Sequence, residues 1–255
     1  MKKLLALYAF ALVTFMVNAQ SCPDDNHPHA IDLGLPSGTK WACCNVGADK
    51  PEAYGGYYAW GETEEKNYYY WSTYIHCDGS SSTCHDLGSD IAGTQYDVAH
   101  VKWGGSWVMP SLDQIKDLLD NCTSEWTTLN GVNGRRFTGK NGGTFFLPAA
   151  GDRWDDGLYG AGGYYWSSSQ YPKGSNRAYS FVILSYNAEW ASGSRYFGRP
   201  VRPVASETNI IYLPESSSNV STQAIYNVYG IKAADNIKTL PPGIYIVNGK
   251  KIVIK

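Results

Sequence analysis

One segment of the chain has the apolar spacing of a helix. The apolar residues of segment 111–122 recur every three or four positions and share one helical face, namely Leu112, Ile115, Leu118 and Leu119. Ser111 is a suitable N-cap, and Gln114 three residues later completes a capping box. This pattern predicts an amphipathic helix that packs on a sheet, and a shorter helix is predicted over residues 97–102.

Most other apolar positions alternate with polar ones in short runs between Gly-, Asn- and Pro-rich turns, which predicts strands and hairpins. The strongest turn signals are Asn130-Gly131, Asn133-Gly134 and Asn141-Gly142, because Asn and Gly tolerate positive φ. Strands are predicted over residues 41–46, 57–63, 163–168, 178–184, 188–192 and 198–203. Residues 151–163 are rich in Gly and Asp and are predicted to form a loop.

The two ends of the chain differ in composition from its middle. Lys2 and Lys3 precede an apolar run, residues 4–17, and a small-residue cleavage site, which is typical of a signal peptide. The run is too short for a membrane span. The predicted organisation is a signal peptide (1–19), a lead-in (20–30), a main domain (31–204), a Ser-rich linker (205–223) and a small all-β module (224–255). We therefore expect an exported chain, secreted or held at the outer cell surface, that does not span a membrane.

Composition narrows the class of partner. The chain has 255 residues and a formal net charge of -2, which argues against nucleic acid as a ligand. It contains 20 Tyr, 9 Trp and 27 Gly with only 17% charged residues, which favours short strands and tight turns over helical bundles.

Export permits disulfides among the six cysteines. Cys77 and Cys84 flank a short Ser-rich loop and form the favoured pair. Cys44 with Cys122 is a second candidate pair, which leaves Cys22 with Cys43, although spacing alone does not determine connectivity.

Rigid aromatic side chains and small polar ones alternate between residues 164 and 203, as in recognition surfaces. Trp166, Phe181 and Ile183 are predicted to lie in the core, the last two because alternation places them on one face of a strand. The residues predicted to bind a ligand are Tyr171, Asn176, Arg177, Tyr186, Asn187, Trp190, Arg195 and Tyr196. Of these, Tyr171, Tyr186, Trp190 and Tyr196 are expected to be exposed because each lies near turn residues.

Other chemistry is less well supported. The acidic loop with Asp152, Asp155 and Asp156 could hold Ca²⁺, but it lacks the spacing of a twelve-residue calcium loop. Two His-Cys pairs, 76–77 and 84–85, have zinc-ligand residue types, yet a disulfide is favoured in an exported chain. We therefore assign no metal and no cofactor.

Catalytic motifs are also missing from the sequence. It contains no Gly-x-Ser-x-Gly elbow, no His-Glu-x-x-His helix and no phosphate-binding Gly loop. Glu62 with Glu64 or Glu65 could form a carboxylate pair, but surface charges are the favoured interpretation. The chain is not expected to be an enzyme.

Six ordered sequence blocks make residues 31–204 resemble the Bacteroidetes and Fibrobacter major paralogous domain family. The blocks are DLGLPSGTKWA (32–42), YAWGET (58–63), WGGSWVMP (103–110), LPAAG (147–151), YWSSS (165–169) and GRPVRPV (198–204). The resemblance implies an α+β, C-type lectin-like fold related to the formylglycine-generating-enzyme fold, with long loops on a ligand face. The reactive cysteines of those enzymes have no counterpart after Cys122, and the calcium motifs of sugar-binding lectins are absent.

The last 30 residues resemble a C-terminal sorting domain of the type IX (Por) secretion system. The matching blocks are YNVYG (226–230), LPPGIYIV (240–247) and the terminal residues 250–255. The resemblance implies recognition by the type IX secretion machinery and passage across the outer membrane. Together the two resemblances imply a surface or secreted binding protein for a glycan or protein ligand. The alternatives are a structural subunit of a surface assembly or a degenerate enzyme of the related fold.

If residues 224–255 act as a sorting signal, their deletion should leave the protein in the periplasm because the outer-membrane machinery no longer recognises it. Cell fractionation beside the intact chain measures this. Surface display that is unchanged by the deletion would contradict the sorting role.

Overall fold

The structure is a computed structural model that describes residues 30–172, 176–206, 225–227, 232–234, 240, 243–247 and 250–254. The signal peptide, nearly all of the lead-in, Cys22 and all but the first two residues of the predicted linker lie outside the described residues. The described part is mostly β-sheet with two short α-helices, in agreement with a mixed α+β class.

The described elements are short, and most pair with a neighbour in sequence. The elements of the main part are β1 (Ala30–Asp32), β2 (Thr39–Ala42), α1 (Val98–Trp103), β3 (Trp107–Val108), α2 (Leu112–Asn121), β4 (Thr123–Leu129), β5 (Val132–Thr138), β6 (Thr144–Pro148), β7 (Asp152–Trp154), β8 (Gly157–Tyr159), β9 (Gly163–Gln170), β10 (Arg177–Ile183), β11 (Ala188–Ser194) and β12 (Val204–Ser206). The C-terminal elements are β13 (Ile225–Asn227), β14 (Lys232–Ala234), β15 (Gly243–Val247) and β16 (Lys250–Ile254). A single 3₁₀ turn, Trp71–Thr73, is also described.

The strands form five antiparallel sheets. Their orders are β1-β2-β12-β3, β4-β5-β6, β11-β10-β9, β7-β8 and β14-β13-β15-β16. In the first sheet β12, from the end of the main part, pairs with both β2 and β3, so the two ends of this region close on each other. The C-terminal sheet, β14-β13-β15-β16, is treated separately from the main part. Its four strands agree with the predicted all-β module.

The sequence predicts α2 correctly because its start and its apolar face are both encoded locally. The hydroxyl of Ser111 accepts a hydrogen bond from the backbone N–H of Gln114, and the side chain of Gln114 accepts one from the N–H of Ser111. Ile115 and Leu118 are buried in the largest core cluster. The shorter helix α1 begins after Asp97, whose carboxylate caps it by accepting from two backbone N–H groups.

Turn chemistry predicts some hairpins and misplaces others. Asn130 and Gly131 have positive φ at the tight turn between β4 and β5, as expected. Asn133-Gly134 is not a turn, because it lies inside β5. A Cβ at Gly134 would stand 2.3 Å from the carbonyl oxygen of Leu147, so this glycine permits close pairing with β6.

Four other segment predictions are wrong. Residues 57–63 and 198–203 are not strands, and a single bridge between Tyr58 and Arg199 joins them. The predicted loop 151–163 contains the hairpin β7–β8, whose tip places Asp155 at positive φ. Residues 205 and 206 belong to β12 rather than to the linker. Residues 57–63, 198–203 and 205–206 pair with partners distant in sequence, which local patterns do not reveal. The β7–β8 pairing is local, but its Gly- and Asp-rich composition is typical of a loop.

The sheet β9–β11 separates two clusters of the core. Tyr165, Phe181 and Ile183 pack on one face with the buried residues of α2. Trp166 and Ala178 belong to a second cluster. Successive side chains of a strand point to opposite faces, which explains the division. Trp166, Phe181 and Ile183 are buried, so the prediction that they lie in the core is confirmed.

Buried arginines on the segment after β11 hold the loops to this core. Arg202 donates from Nε to Oδ1 of Asn45 (2.8 Å) and from Nη1 to the carbonyl oxygens of Ala42 (3.1 Å) and Cys43 (2.9 Å). Arg199 pairs with Asp152 at 3.1 Å, and its guanidinium lies 4.5 Å from the ring centroid of Trp166. A buried charge is tolerated only when such partners replace water.

Arg202→Lys should lower the free energy of unfolding by about 3 kcal/mol, because an ammonium group does not reproduce the guanidinium fork and charge-assisted hydrogen bonds are lost. Urea unfolding followed by circular dichroism measures the change. The control is Arg136→Lys, whose exposed pair with Glu125 is expected to contribute less than about 1 kcal/mol. Equal effects at both positions would contradict the role given to Arg202.

Candidate functional site

Three neighbouring aromatic side chains form a partly exposed row, with Tyr179 on β10, Trp190 on β11 and Tyr171 directly after β9. The ring centroids of Tyr171 and Tyr179 are 5.2 Å apart, and those of Tyr179 and Trp190 are 5.8 Å apart, both edge-to-face. Lys116 of α2 places its Nζ 5.7 Å from the ring centroid of Trp190. We call Tyr171, Tyr179 and Trp190 the strand array.

Register explains why these rings share one face. Phe181 lies directly opposite Trp190, and Tyr179 lies opposite Ser192, so the side chains of both pairs point to the same side of the sheet. Phe181 is buried beneath α2, whereas Trp190 is 47% exposed, as predicted. Tyr171 and Tyr179 are half-buried, so the prediction that Tyr171 is exposed is wrong, because its ring packs on Tyr179. The strand array is therefore the exposed continuation of a core face, on a rigid support.

Arg177 borders the strand array but is tied to the sheet. Its Nε and Nη2 donate to Oγ of Ser192 at 3.2 and 3.0 Å, and Nη2 also donates to the Ser192 carbonyl oxygen. Asn176 is half-buried, and its backbone carbonyl accepts from the N–H of Arg195 at 3.0 Å. These two predicted residues lie where β10 begins, close in sequence to Tyr171 and Tyr179.

Tyr186 and Asn187 lie at the turn between β10 and β11. Tyr186 is 82% exposed, the most exposed large hydrophobic side chain among the described residues. Asn187 uses its amide locally, since its Oδ1 accepts from the N–H of Ala188 and its Nδ2 donates to Glu189. The predicted exposure of Tyr186 is confirmed, and both residues lie at the opposite end of these strands from Arg177.

The prediction that Arg195 contacts a ligand is wrong, because this side chain is fully buried. Its guanidinium lies 4.7 Å from the ring centroid of Trp60 and donates to the hydroxyl of Tyr74 (2.7 Å) and the carbonyl of His85 (3.0 Å). The sequence cannot reveal this role, because all three contacts come from residues more than one hundred positions away.

Tyr196 belongs to a different aromatic group. Its ring centroid is 4.7 Å from that of Trp71 and 5.4 Å from that of Tyr70, so it is half-buried rather than exposed as predicted. The eight predicted residues therefore fall into the strand array with its border, the β10–β11 turn, one buried arginine, and Tyr196.

Sequence reasoning missed several exposed aromatic residues outside segment 164–203. They are Tyr68, Tyr70, Trp154 and Tyr159. The sequence contained a signal for the first two, because a run of three consecutive tyrosines (68–70) in an otherwise polar loop is unusual. Alternation buries the middle one, Tyr69, and leaves its neighbours at the surface.

The predicted disulfide Cys77–Cys84, which follows these tyrosines in the chain and closes the short loop 78–83, is confirmed. The Cys44–Cys122 pair is wrong. Cys122 keeps its thiol at the end of α2, where burial raises its pKa, while Cys44 is buried beside Cys43 with their sulfurs 3.8 Å apart. Cys44 and Cys122 belong to different parts of the fold, which their spacing along the chain does not reveal.

Three of the acidic residues considered for metal binding or catalysis have protein partners. Asp152 pairs with Arg199, Glu62 pairs with Lys66 at 2.7 Å, and Glu65 accepts from the N–H of Tyr57 at 2.8 Å. The disulfide removes both candidate zinc thiolates. Within the described ranges, no group of three or more His, Cys, Asp or Glu side chains is arranged to hold a metal ion.

No protein-family model, no curated protein and no solved structure matches the chain. Separately, none of the helices in the described part of the chain is long and apolar enough to cross a membrane.

His76, next to the disulfide, makes the stability of this loop dependent on pH. Burial lowers the pKa of its imidazole below 6.5, although the carbonyl of Gly61, 2.9 Å from Nε2, acts in the opposite direction. The unfolded chain therefore takes up the proton at a higher pH than the folded one, so stability is lost as the pH falls below about 6.5. We expect the urea midpoint to fall between pH 7.5 and 5, and to fall less in His76→Gln.

The control for this measurement is His85→Gln, which removes an exposed imidazole from the same loop. An equal fall of the midpoint in the wild type and in His76→Gln would contradict the role of His76.

Proposed function

We propose that this chain is an exported binding protein that recognises a glycan or protein ligand outside the cell through the strand array. The observation that carries the proposal is the row of edge-to-face rings at 5.2 and 5.8 Å, two of them on the paired strands β10 and β11 and the third directly after β9. A rigid strand pair holds the rings in place before a ligand arrives, which reduces the entropy lost on binding.

The surroundings of the strand array favour binding over catalysis. Trp190 offers an exposed ring, Lys116 and Arg177 add cationic groups at its border, and Ser192 adds a hydroxyl. Tyr and Trp combine a large apolar face with a polar edge, which suits both sugar rings and protein hot spots. The carboxylates that could have served as catalytic pairs are instead engaged with Lys66 and a backbone N–H.

The proposed architecture is C-type lectin-like, on the basis of the resemblance to the major paralogous domain family and the mixed α+β composition. The signal-peptide pattern and the resemblance of the last residues to a type IX sorting domain support a location in the medium or at the outer cell surface. The Cys77–Cys84 disulfide agrees with an oxidising compartment.

Trp190→Ala and Tyr179→Ala should each lower ligand affinity at least tenfold, since aromatic anchors at the centre of an interface carry most of its binding energy. A glycan and protein array identifies the ligand, and titration calorimetry measures affinity. Trp190→Ala should cost only about 1 kcal/mol of unfolding free energy. Trp166→Ala, in the core, should cost about 3–5 kcal/mol.

Tyr54→Ala is the matched control, because its ring is exposed and lies on another loop. Binding that survives in both array variants would show that the ligand binds elsewhere. A loss of stability in Trp190→Ala as large as that in Trp166→Ala would mean that Trp190 is a packing residue.

A further inference from the structure

A second exposed aromatic surface lies on the segment that precedes the Cys77–Cys84 disulfide, where Tyr69 pairs with the tip of the β7–β8 hairpin. Tyr68 is 43% exposed and Tyr70 is 44% exposed, and their ring centroids are 6.3 Å apart. The ring of Tyr70 in turn contacts Tyr196 at 5.4 Å. We call Tyr68, Tyr70, Tyr196 and the neighbouring Asp155 the tyrosine–aspartate face.

Backbone pairing fixes the carboxylate beside these rings. The N–H of Tyr69 donates to the carbonyl of Asp155 at 2.8 Å, and the N–H of Asp155 donates back to Tyr69 at 2.9 Å. Desolvation, together with the charge of Asp155 and a hydrogen bond to it, raises the pKa of Tyr68 above 10.0. The phenol therefore stays neutral and can donate a hydrogen bond at ordinary pH.

The rings rest on a firm base. Trp71 packs edge-to-face on both Tyr196 (4.7 Å) and Tyr74 (6.2 Å), and Tyr74 is buried with its hydroxyl donating to the carbonyl of Trp60 at 2.7 Å. The exposed rings are thus held in position without being part of the core.

The chemistry of this face selects one ligand class, and we propose that it binds a neutral saccharide. Exposed tyrosine rings can lie against the apolar C–H faces of a sugar ring, while phenol and carboxylate oxygens exchange hydrogen bonds with its hydroxyls. Asp155, together with Asp156 at the hairpin tip, repels sulfated or carboxylated sugars. The strand array differs in charge, since Lys116 and Arg177 border it.

Affinity gel electrophoresis of the purified full chain tests this site. The gels contain neutral glucan, mannan, galactan or xylan, with heparin as the anionic comparison. We expect retardation by a neutral polysaccharide, at least tenfold weaker in Tyr70→Ala, Tyr68→Ala and Asp155→Asn. Asparagine tolerates the positive φ at position 155, so this variant removes charge without straining the turn. Tyr54→Ala should bind like the wild type.

The outcomes separate this site from the strand array. Retardation that is lost in Tyr70→Ala but stays within twofold of the wild type in Trp190→Ala supports the inference. Loss only in Trp190→Ala overturns it and leaves the proposed function standing. Retardation by heparin alone, or by none of the polysaccharides, also overturns it. Melting temperatures identify any variant that fails to fold. If Tyr68→Ala or Tyr70→Ala fails to fold, the retardation of Asp155→Asn decides the test.

Discussion

Arg195, Arg199 and Arg202 carry three positive charges into the interior, and the packing of the main part depends on satisfying them. Asp152 supplies a counter-charge to Arg199, while rings and carbonyl oxygens surround the other two guanidinium groups. Removing one partner of a buried charge typically costs about 3–5 kcal/mol. The segment 195–202 therefore holds early loops and late strands together in a single arrangement.

This internal anchoring determines which aromatic residues remain outside. Arg195 faces inward against Trp60, and the next residue, Tyr196, packs on the loop around Trp71. The strand β11 ends just before them, at Ser194. Two aromatic surfaces of different charge result, one bordered by cations on a sheet and one bordered by carboxylates where the Tyr68–Tyr70 segment meets the β7–β8 hairpin. Core residues hold both aromatic surfaces in position, but the exposed rings themselves are not core residues.

The sequence predicted what is encoded locally. The helix α2, the Asn130-Gly131 turn, the short-range disulfide and the burial of Phe181 all follow from neighbours within about a dozen positions. The buried role of Arg195 did not follow, because its partners are distant in sequence. The hairpin within 151–163 is local, but its Gly- and Asp-rich composition indicated a loop.

The candidate site shows the same limit. Alternation along β10 and β11 places Tyr179 and Trp190 on one face, but only the register of the strands shows that α2 covers Phe181 and leaves Trp190 exposed. Tyr196 looked similar to Trp190 in the sequence, yet it packs on Trp71. The exposure of Tyr68 and Tyr70 depends on the buried position of Tyr69 between them.

Hydroxyl-radical footprinting with and without a bound ligand tests the central claim, that a pre-formed aromatic row rather than the core meets the ligand. The account predicts that the ligand protects Trp190, Tyr179 and Tyr171 while Trp60 and Trp166 stay unmodified in both states. Ligand binding that leaves these three rings as reactive as before, or labelling of Trp166 in the free protein, would contradict it.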